Sequence, residues 1–327
     1  MQEWIRQRGS FDDYKSKVSS RTLPASFLQK GVLFIKLALI TVAGARVDVL
    51  PHMLSHYQAL GVDDFIIHAH AQACDDSVLE DISRSASKVG AKIASTNVGP
   101  WITNLNSILY TISRSSCSND DWFIIADQDE LQVYPDDLRS IISYCDRHGY
   151  TYIEGCLIDR LSADGKLLEV HDDRSVWEQF PLGSIISGAL LGAVINKVVA
   201  VKGNIRLGDG QHLSYSGIGC PIASAYVPVH HFKWVQGLLA QMERRVDLNS
   251  RYRNPNNDLY TAECRRFLEY YGKEGRINLN DPSLLVAHCN PDYLYWEKLK
   301  EWRRMAHLFA PELAMFFHRE RRFADGL

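Results

Sequence analysis

The sequence has no CxxC pair; its seven cysteines are scattered and odd in number, which argues against structural zinc and for reduced thiols. It also lacks an apolar run able to span a bilayer. The longest such stretch, Gly31 to Leu50, is broken by Lys36, Arg46 and Asp48, too polar for a membrane helix. The opening residues, Met1 to Arg8, have no continuous apolar core, so no secretory signal is expected and a cytoplasmic setting is. Net charge is only −3 and no long basic run occurs, which removes the usual argument for a nucleic-acid partner. Several motifs are missing as well. Where a dinucleotide-binding GxGxxG would stand, the chain reads Thr41-Val-Ala-Gly-Ala-Arg46, and GxxxxGK[ST], HExxH and GxSxG are absent. Dehydrogenases, P-loop enzymes, zincins and α/β-hydrolases therefore lose weight.

What is present is an ordinary globular composition, 46 % hydrophobic and 23 % charged. From Leu33 the pattern becomes regular. Strands are expected over 34–42, 64–70, 91–95, 122–126 and 150–158, with helices between them. The helix over 47–60 carries an apolar stripe and stops at Gly61; another, capped by Asp75 or Asp76, ends at Gly90. Leu105–Ile112 lies on a third, and Pro135 opens a fourth that ends at Gly149. Strand and helix alternate four times, which predicts an α/β fold with a parallel sheet covered on both faces. Beyond it, 187–202 reads as one or two strands, 203–219 as a glycine-rich loop, and 237–247, 258–271 and 292–309 as helices. The expected organisation is an arm over 1–33, a domain over 34–250 divided near 158 into a nucleotide half and an acceptor half, and a helical tail over 251–327.

The most informative stretch is Trp122-Phe-Ile-Ile-Ala-Asp127-Gln-Asp129-Glu130. A short apolar run reads as a buried strand, and alternation puts Asp127 and Asp129 on one side at its carboxyl end. That end is where open α/β sheets bind ligands. Two carboxylates there suit Mg²⁺ or Mn²⁺, which take oxygen ligands and bridge to phosphates. The plainer alternative is an acidic strand-to-helix loop, since Asp136 and Asp137 follow.

An apolar strand running into Asp-x-Asp-Glu after three β-α units resembles the metal-binding motif of GT-A glycosyltransferases. The later order strengthens the likeness: Gly155 to Gly165 with Asp159, Gln179-Phe-Pro181, Gly208-Asp-Gly-Gln-His212, then His230-His231-Phe-Lys233-Trp234. The series is similar to bacterial family 2-like glycosyltransferases over roughly residues 34–245. The resemblance implies a GT-A fold, Rossmann-like with a mostly parallel central sheet and helices on both faces, plus C-terminal helices. It implies transfer of a sugar from a nucleoside-diphosphate donor, a UDP-sugar first, to a glycan, lipid-linked or small-molecule hydroxyl, with Mn²⁺ or Mg²⁺ and inversion. It places the metal at Asp127, Asp129 and His231, the diphosphate near Asp127 and Lys233, and the nucleotide at the ends of the first two strands by Val42 and His70. An inverting transfer needs a carboxylate base; Asp159 at the fifth strand's end is ranked above Asp209 in the glycine-rich loop, with His212 third.

The chain departs from that pattern after its first strand, where an Asn-Glu pair is replaced by Ala43 to Arg46, and after its second, at His68-Ala-His70. The Gln-x-x-Arg-Trp of processive synthases is missing, which favours transfer of one sugar. His68, His70 and Cys74 also admit a soft-metal trio, and His230-His231 a structural pair. The aromatic and basic tail, Tyr293 to Arg322, admits a membrane surface or a second subunit as partner. Two other functions compete: a haloacid-dehalogenase-type phosphatase with Asp127 as nucleophile, and an inactive sugar- or nucleotide-binding module.

Overall fold

The computed structural model describes residues 36–72, 77–102, 104–115, 117–221, 225, 227–252 and 254–289. The expected arm over 1–33, the caps Asp75 and Asp76, Cys74, and the helix over 292–309 with its aromatic and basic tail lie outside these residues.

Apolar strands and amphipathic helices alternate as expected through the first half. β1 (Leu37–Gly44), β2 (Asp64–Ala71), β3 (Lys92–Val98) and β4 (Trp122–Ile125) are separated by α1 (Leu50–Ala59), α2 (Val78–Lys88) and α3 (Leu105–Ser115). Pro51 sits in the first turn of α1, where its missing N–H costs no helical hydrogen bond. The four strands pair in parallel in the order β3-β2-β1-β4. α4 (Leu138–Arg147) begins at Asp137, not Pro135, because the Asp137 carboxylate accepts the Ser140 backbone N–H.

Past β4 the pairing changes hand. After β5 (Glu130–Gln132) and β6 (Tyr152–Leu161) come the short α5 (Val176–Gln179), β7 (Leu182–Ser184) and α6 (Ile186–Ala189). β8 (Asn196–Lys202) lies antiparallel between β4 and β6, and β7 continues the sheet beyond β6. The stretch expected as one or two strands over 187–202 is thus one short helix and one strand. β9 (Val227–His231) runs parallel to β6 and pairs antiparallel with β5. The glycine-rich loop contains a 3₁₀ turn, Asp209–Gln211.

Two reversals, β4 to β8 to β6, leave β6 running in the direction of β4, and β9 follows β6. The carboxyl ends of β4, β6 and β9 therefore open on one edge. That edge carries Asp127, Asp159 and His231.

The last helix of the expected 34–250 domain and the described part of the expected tail pack on this core. α7 (Leu238–Arg251), from that domain, and α8 (Asp258–Glu274), from the tail, bring Leu238, Met242 and Phe267 against Leu161, Ile186 and Trp234. β10 (Ala287–His288) then pairs with β7 at the sheet margin.

Candidate active site

β4 ends at Ile125, and the chain turns at once: the Glu130 N–H bonds the Asp127 carbonyl at 3.0 Å. The two aspartates are therefore not presented together as strand alternation predicts; the turn sends them to different partners. Asp127 Oδ2 meets Lys197 Nζ at 2.9 Å, and its Oδ1 accepts from Asn106 Nδ2 at 2.8 Å and Tyr110 OH at 3.2 Å. Lys197 reaches Glu130 Oε1 at 2.8 Å as well, and Glu130 Oε2 accepts the Asp127 N–H. Burial alone would raise the Asp127 pKa, but the Lys197 ammonium holds it below the usual carboxylate range. The same two carboxylates raise Lys197 above its ordinary value against the burial that would lower it. Burial pushes Glu130 up.

Asp129 faces the other way. Its Oδ2 stands 3.8 Å from His231 Nε2, beyond hydrogen-bond distance. The opposite ring nitrogen, Nδ1, is 3.0 Å from Asp159 Oδ1. Burial would lower the His231 pKa, yet Asp129 and Asp159 raise it above the ordinary histidine value.

Asp159 is fully buried. It accepts from the Ser187 N–H and hydroxyl, both at 2.7 Å, and from Trp234 Nε1 at 2.8 Å, besides His231. With four donors around it and no solvent contact, it is out of reach of an acceptor hydroxyl, contrary to its expected place as base. Burial would raise its pKa, but His231 and Ser187 hold it low. Its position is behind the imidazole, whose orientation it sets.

The other expected residues divide. Asp209 is exposed on the 3₁₀ turn, where its Oδ1 accepts from Ser107 at 3.0 Å. His212 Nδ1 is 2.8 Å from the Asn196 carbonyl, and burial, aided by Lys197, lowers its pKa to about 4. It is neutral at physiological pH and a weak base. Lys233 lies over Trp234 and Tyr260, with Nζ 5.3 and 5.8 Å from the ring centres. Val42 is a core residue, packed with Leu109 and Tyr110, so its side chain does not face a ligand. His70 is buried at the end of β2, edge-on to Trp101 at 5.1 Å. His230 points away from the site, edge-on to Trp177 at 5.0 Å.

Four contributors were not foreseen. Lys197 left a trace, a lysine inside the apolar strand Asn-Lys-Val-Val-Ala-Val-Lys. Gln128, between the two aspartates, turns out to clamp the loop after β1. It accepts the Gly44 N–H at 2.9 Å and donates to the Gly44 and Arg46 carbonyls at 2.7 and 2.6 Å. Arg245 of α7 stacks on Tyr260 at 4.6 Å, and burial lowers its pKa to about 10 despite the influence of Asp129. Asn106 belongs to α3 and gave no signal.

Among the described residues no three His, Cys, Asp or Glu side chains converge closely enough to hold a metal ion by themselves. Asp127, expected as a ligand, is bound to Lys197 instead. Asp129 and His231 remain. The imidazole is held at Nδ1 by Asp159 and turns Nε2 toward the Asp129 carboxylate, so this pair could supply two ligands to a divalent ion.

No protein-family model matches the chain, and no curated protein does. Solved structures give distant likenesses. A mannosyltransferase from Pyrobaculum calidifontis in complex with GDP-Man and Mn²⁺ is 10 % identical, with 74 % of each chain covered and a TM-score of 0.36. S. aureus TarS is 8 % identical over 76 % of this chain and 47 % of its own, at 0.32. Mannose-6-phosphate isomerase from Helicobacter pylori is 14 % identical over 41 % of this chain and 58 % of its own, at 0.27. The chain thus spans about half the length of TarS. All three scores are below one half, and none of these likenesses bears on function.

Proposed function

We propose that this chain is a GT-A-type glycosyltransferase that moves one sugar from a nucleoside-diphosphate donor to an acceptor hydroxyl, with inversion and with a divalent ion held by Asp129 and His231. The observation that carries the reading is the Asp159–His231–Asp129 series at the carboxyl edge shared by β4, β6 and β9, beside a parallel β3-β2-β1-β4 half. The order of motifs along the chain supports it.

Asp129 and His231 would hold a Mn²⁺ or Mg²⁺, which would supply positive charge against the negative charge developing on the leaving diphosphate. The chain's own residues do the rest. Asp159 keeps the His231 Nδ1 protonated and its Nε2 free to coordinate. Lys233 and Arg245, both near Tyr260 and without an ion pair among the described residues, supply positive charge for phosphate oxygens. Both are half-buried, where such attraction is stronger than in bulk water. Gln128 holds the loop after β1, at which the nucleotide is expected. Asp209 is the carboxylate positioned to take the acceptor proton, because it alone of the two expected bases has an accessible oxygen.

The phosphatase reading loses support here. A nucleophilic Asp127 needs a free oxygen in line with phosphorus, and both of its oxygens are engaged. The deciding experiment titrates UDP, GDP, CDP and dTDP in the presence of Mn²⁺ or of EDTA, then measures donor hydrolysis with the nucleotide that binds. Metal-dependent binding of one nucleotide with slow hydrolysis of its sugar conjugate is expected. Binding that ignores EDTA removes the metal from the reading; no nucleotide binding removes the reading itself.

A further inference from the structure

An Asp-x-Asp-Glu cluster read as a metal site offers three carboxylates to a dication, but here two of the three are occupied by a residue of the chain. Lys197 Nζ lies 2.9 Å from Asp127 Oδ2 and 2.8 Å from Glu130 Oε1, with its side chain 4 % exposed. Its third partner is the Gly210 carbonyl at 3.1 Å. That carbonyl belongs to the loop carrying Asp209 and His212. Three donors on one ammonium exhaust it.

Lys197 is the restraint that ties this loop to the acidic strand end. Gln211 takes φ of +48°, a left-handed conformation that costs a non-glycine residue free energy. Gln211 is buried, and neither its amide oxygen nor its amide nitrogen has a hydrogen-bond partner. Such a turn persists only where its surroundings impose it. The restraints are Lys197 on Gly210, Asn196 on both the ring and the carbonyl of His212, Ser107 on Asp209, and two backbone bonds, Gly208 N–H to the Leu213 carbonyl at 2.9 Å and Gln211 N–H to the Gly208 carbonyl at 3.0 Å.

We propose that Lys197 is a resident counter-ion that withdraws Asp127 and Glu130 from metal binding, leaving Asp129 with His231 as the single divalent site, and that it anchors loop 208–212 over the acidic strand end. It is a positioning residue, and its metal-facing half rests on the glycosyltransferase reading only through the choice of probe. A dication sharing Asp127 with an ammonium already salt-bridged to it would meet direct repulsion, so one carboxylate of the motif faces the donor while two organise the protein. This division explains why the turn after β4 splits the two aspartates.

The test is titration of the free protein with Mn²⁺ alone, followed by electron paramagnetic resonance, for wild type, Lys197→Arg and Lys197→Met. Wild type and Lys197→Arg should bind Mn²⁺ weakly and alike. Lys197→Met releases Asp127 and Glu130 beside Asp129, so Mn²⁺ affinity should rise at least tenfold or a second ion should appear. The double variant Lys197→Met with Glu130→Gln removes one charge of each sign. It keeps the measurement available if the single variant does not fold, and it should still bind Mn²⁺ more tightly than wild type through Asp127. Amide hydrogen exchange read on the same folded variant should speed up at 208–214. Unchanged Mn²⁺ affinity in the folded variant overturns the counter-ion role, and unchanged exchange overturns the anchoring role. If wild type binds no nucleotide while Lys197→Met still gains Mn²⁺, the glycosyltransferase reading fails and the role of Lys197 stands.

Discussion

A buried carboxylate must have donors to remain charged, and Asp159 has four: two from Ser187 and one each from His231 and Trp234. Asp159→Asn keeps the shape but offers an amide where His231 needs an acceptor, so the imidazole loses its fixed tautomer. Metal affinity is expected to fall 10- to 100-fold, the range for an outer-shell partner of a ligating histidine. Asp209→Asn is expected to leave metal and nucleotide affinity near wild type and to lower transfer roughly 10²–10⁴-fold. Isothermal titration with Mn²⁺ and nucleotide, beside single-turnover transfer, separates the two. Should Asp209→Asn transfer normally, the base lies elsewhere. His231 adds a pH signature. Its pKa is raised by Asp129 and Asp159 against burial, so the proton competes with the metal to a pH above the ordinary histidine value. Mn²⁺ affinity should increase with pH across the neutral range and level off on the alkaline side. The slope should vanish in His231→Ala.

At the scale of elements, the site depends on strand ends meeting. Gly155 lies where β6 passes β9, and a Cβ there would collide with the Val227 carbonyl. Gly155→Ala should force β6 and β9 apart at a cost of about 1–3 kcal/mol, seen as a lower urea midpoint. Because Asp159 lies near the end of β6 and His231 ends β9, metal binding should weaken with it. A Gly155→Ala protein of unchanged stability would show that this contact is looser than the structure has it. The loop after β1 depends on one side chain instead of a strand pair. Gln128 meets three backbone groups of Gly44 and Arg46, a reason for the middle position of Asp127-Gln-Asp129 that concerns the loop and not the metal. Gln128→Ala leaves those groups to water, and a net loss of about 1–3 kcal/mol follows. Nucleotide affinity should fall with metal affinity spared; the reverse order would place Gln128 at the metal.

Across the whole molecule, burial and charge act together on histidine. His56, His68, His212 and His230 all have pKa values lowered by burial. Each binds a proton more readily unfolded than folded, so each favours the folded state fully above the ordinary histidine pKa of ~6.5. That contribution is lost as pH falls through the folded values, which for His212 is about 4. His231, with its raised pKa, works in the opposite direction. Four groups against one predict that the urea midpoint declines as pH falls from about 6.5 toward 4. A midpoint that stays flat over this window would mean the histidines are more solvated than they are here. Among the described residues no helix is long and apolar enough to cross a membrane.

The alternating first half was legible in the chain because it is built from local signals. Apolar strands of limited length, amphipathic helices, and stops at Gly61, Gly90 and Gly149 all act within a few residues. The acidic cluster at 127–130 was legible for the same reason, as charge abruptly following an apolar strand. What each carboxylate does was not. Asp127 and Asp129 look equivalent along the chain, yet a turn after Ile125 gives one to Lys197, 70 positions away, and points the other toward His231. Asp159 reads as an accessible strand-end acid, yet β9 and α6 close over it and leave it no exposed oxygen. The short strands β5, β7, β9 and β10, whose partners are distant in sequence, were equally hidden. Local periodicity determined which segments become strands and helices and where charge accumulates. Only the tertiary structure decided which charges neutralise one another, because burial and pairing depend on atoms that the chain brings together from far apart.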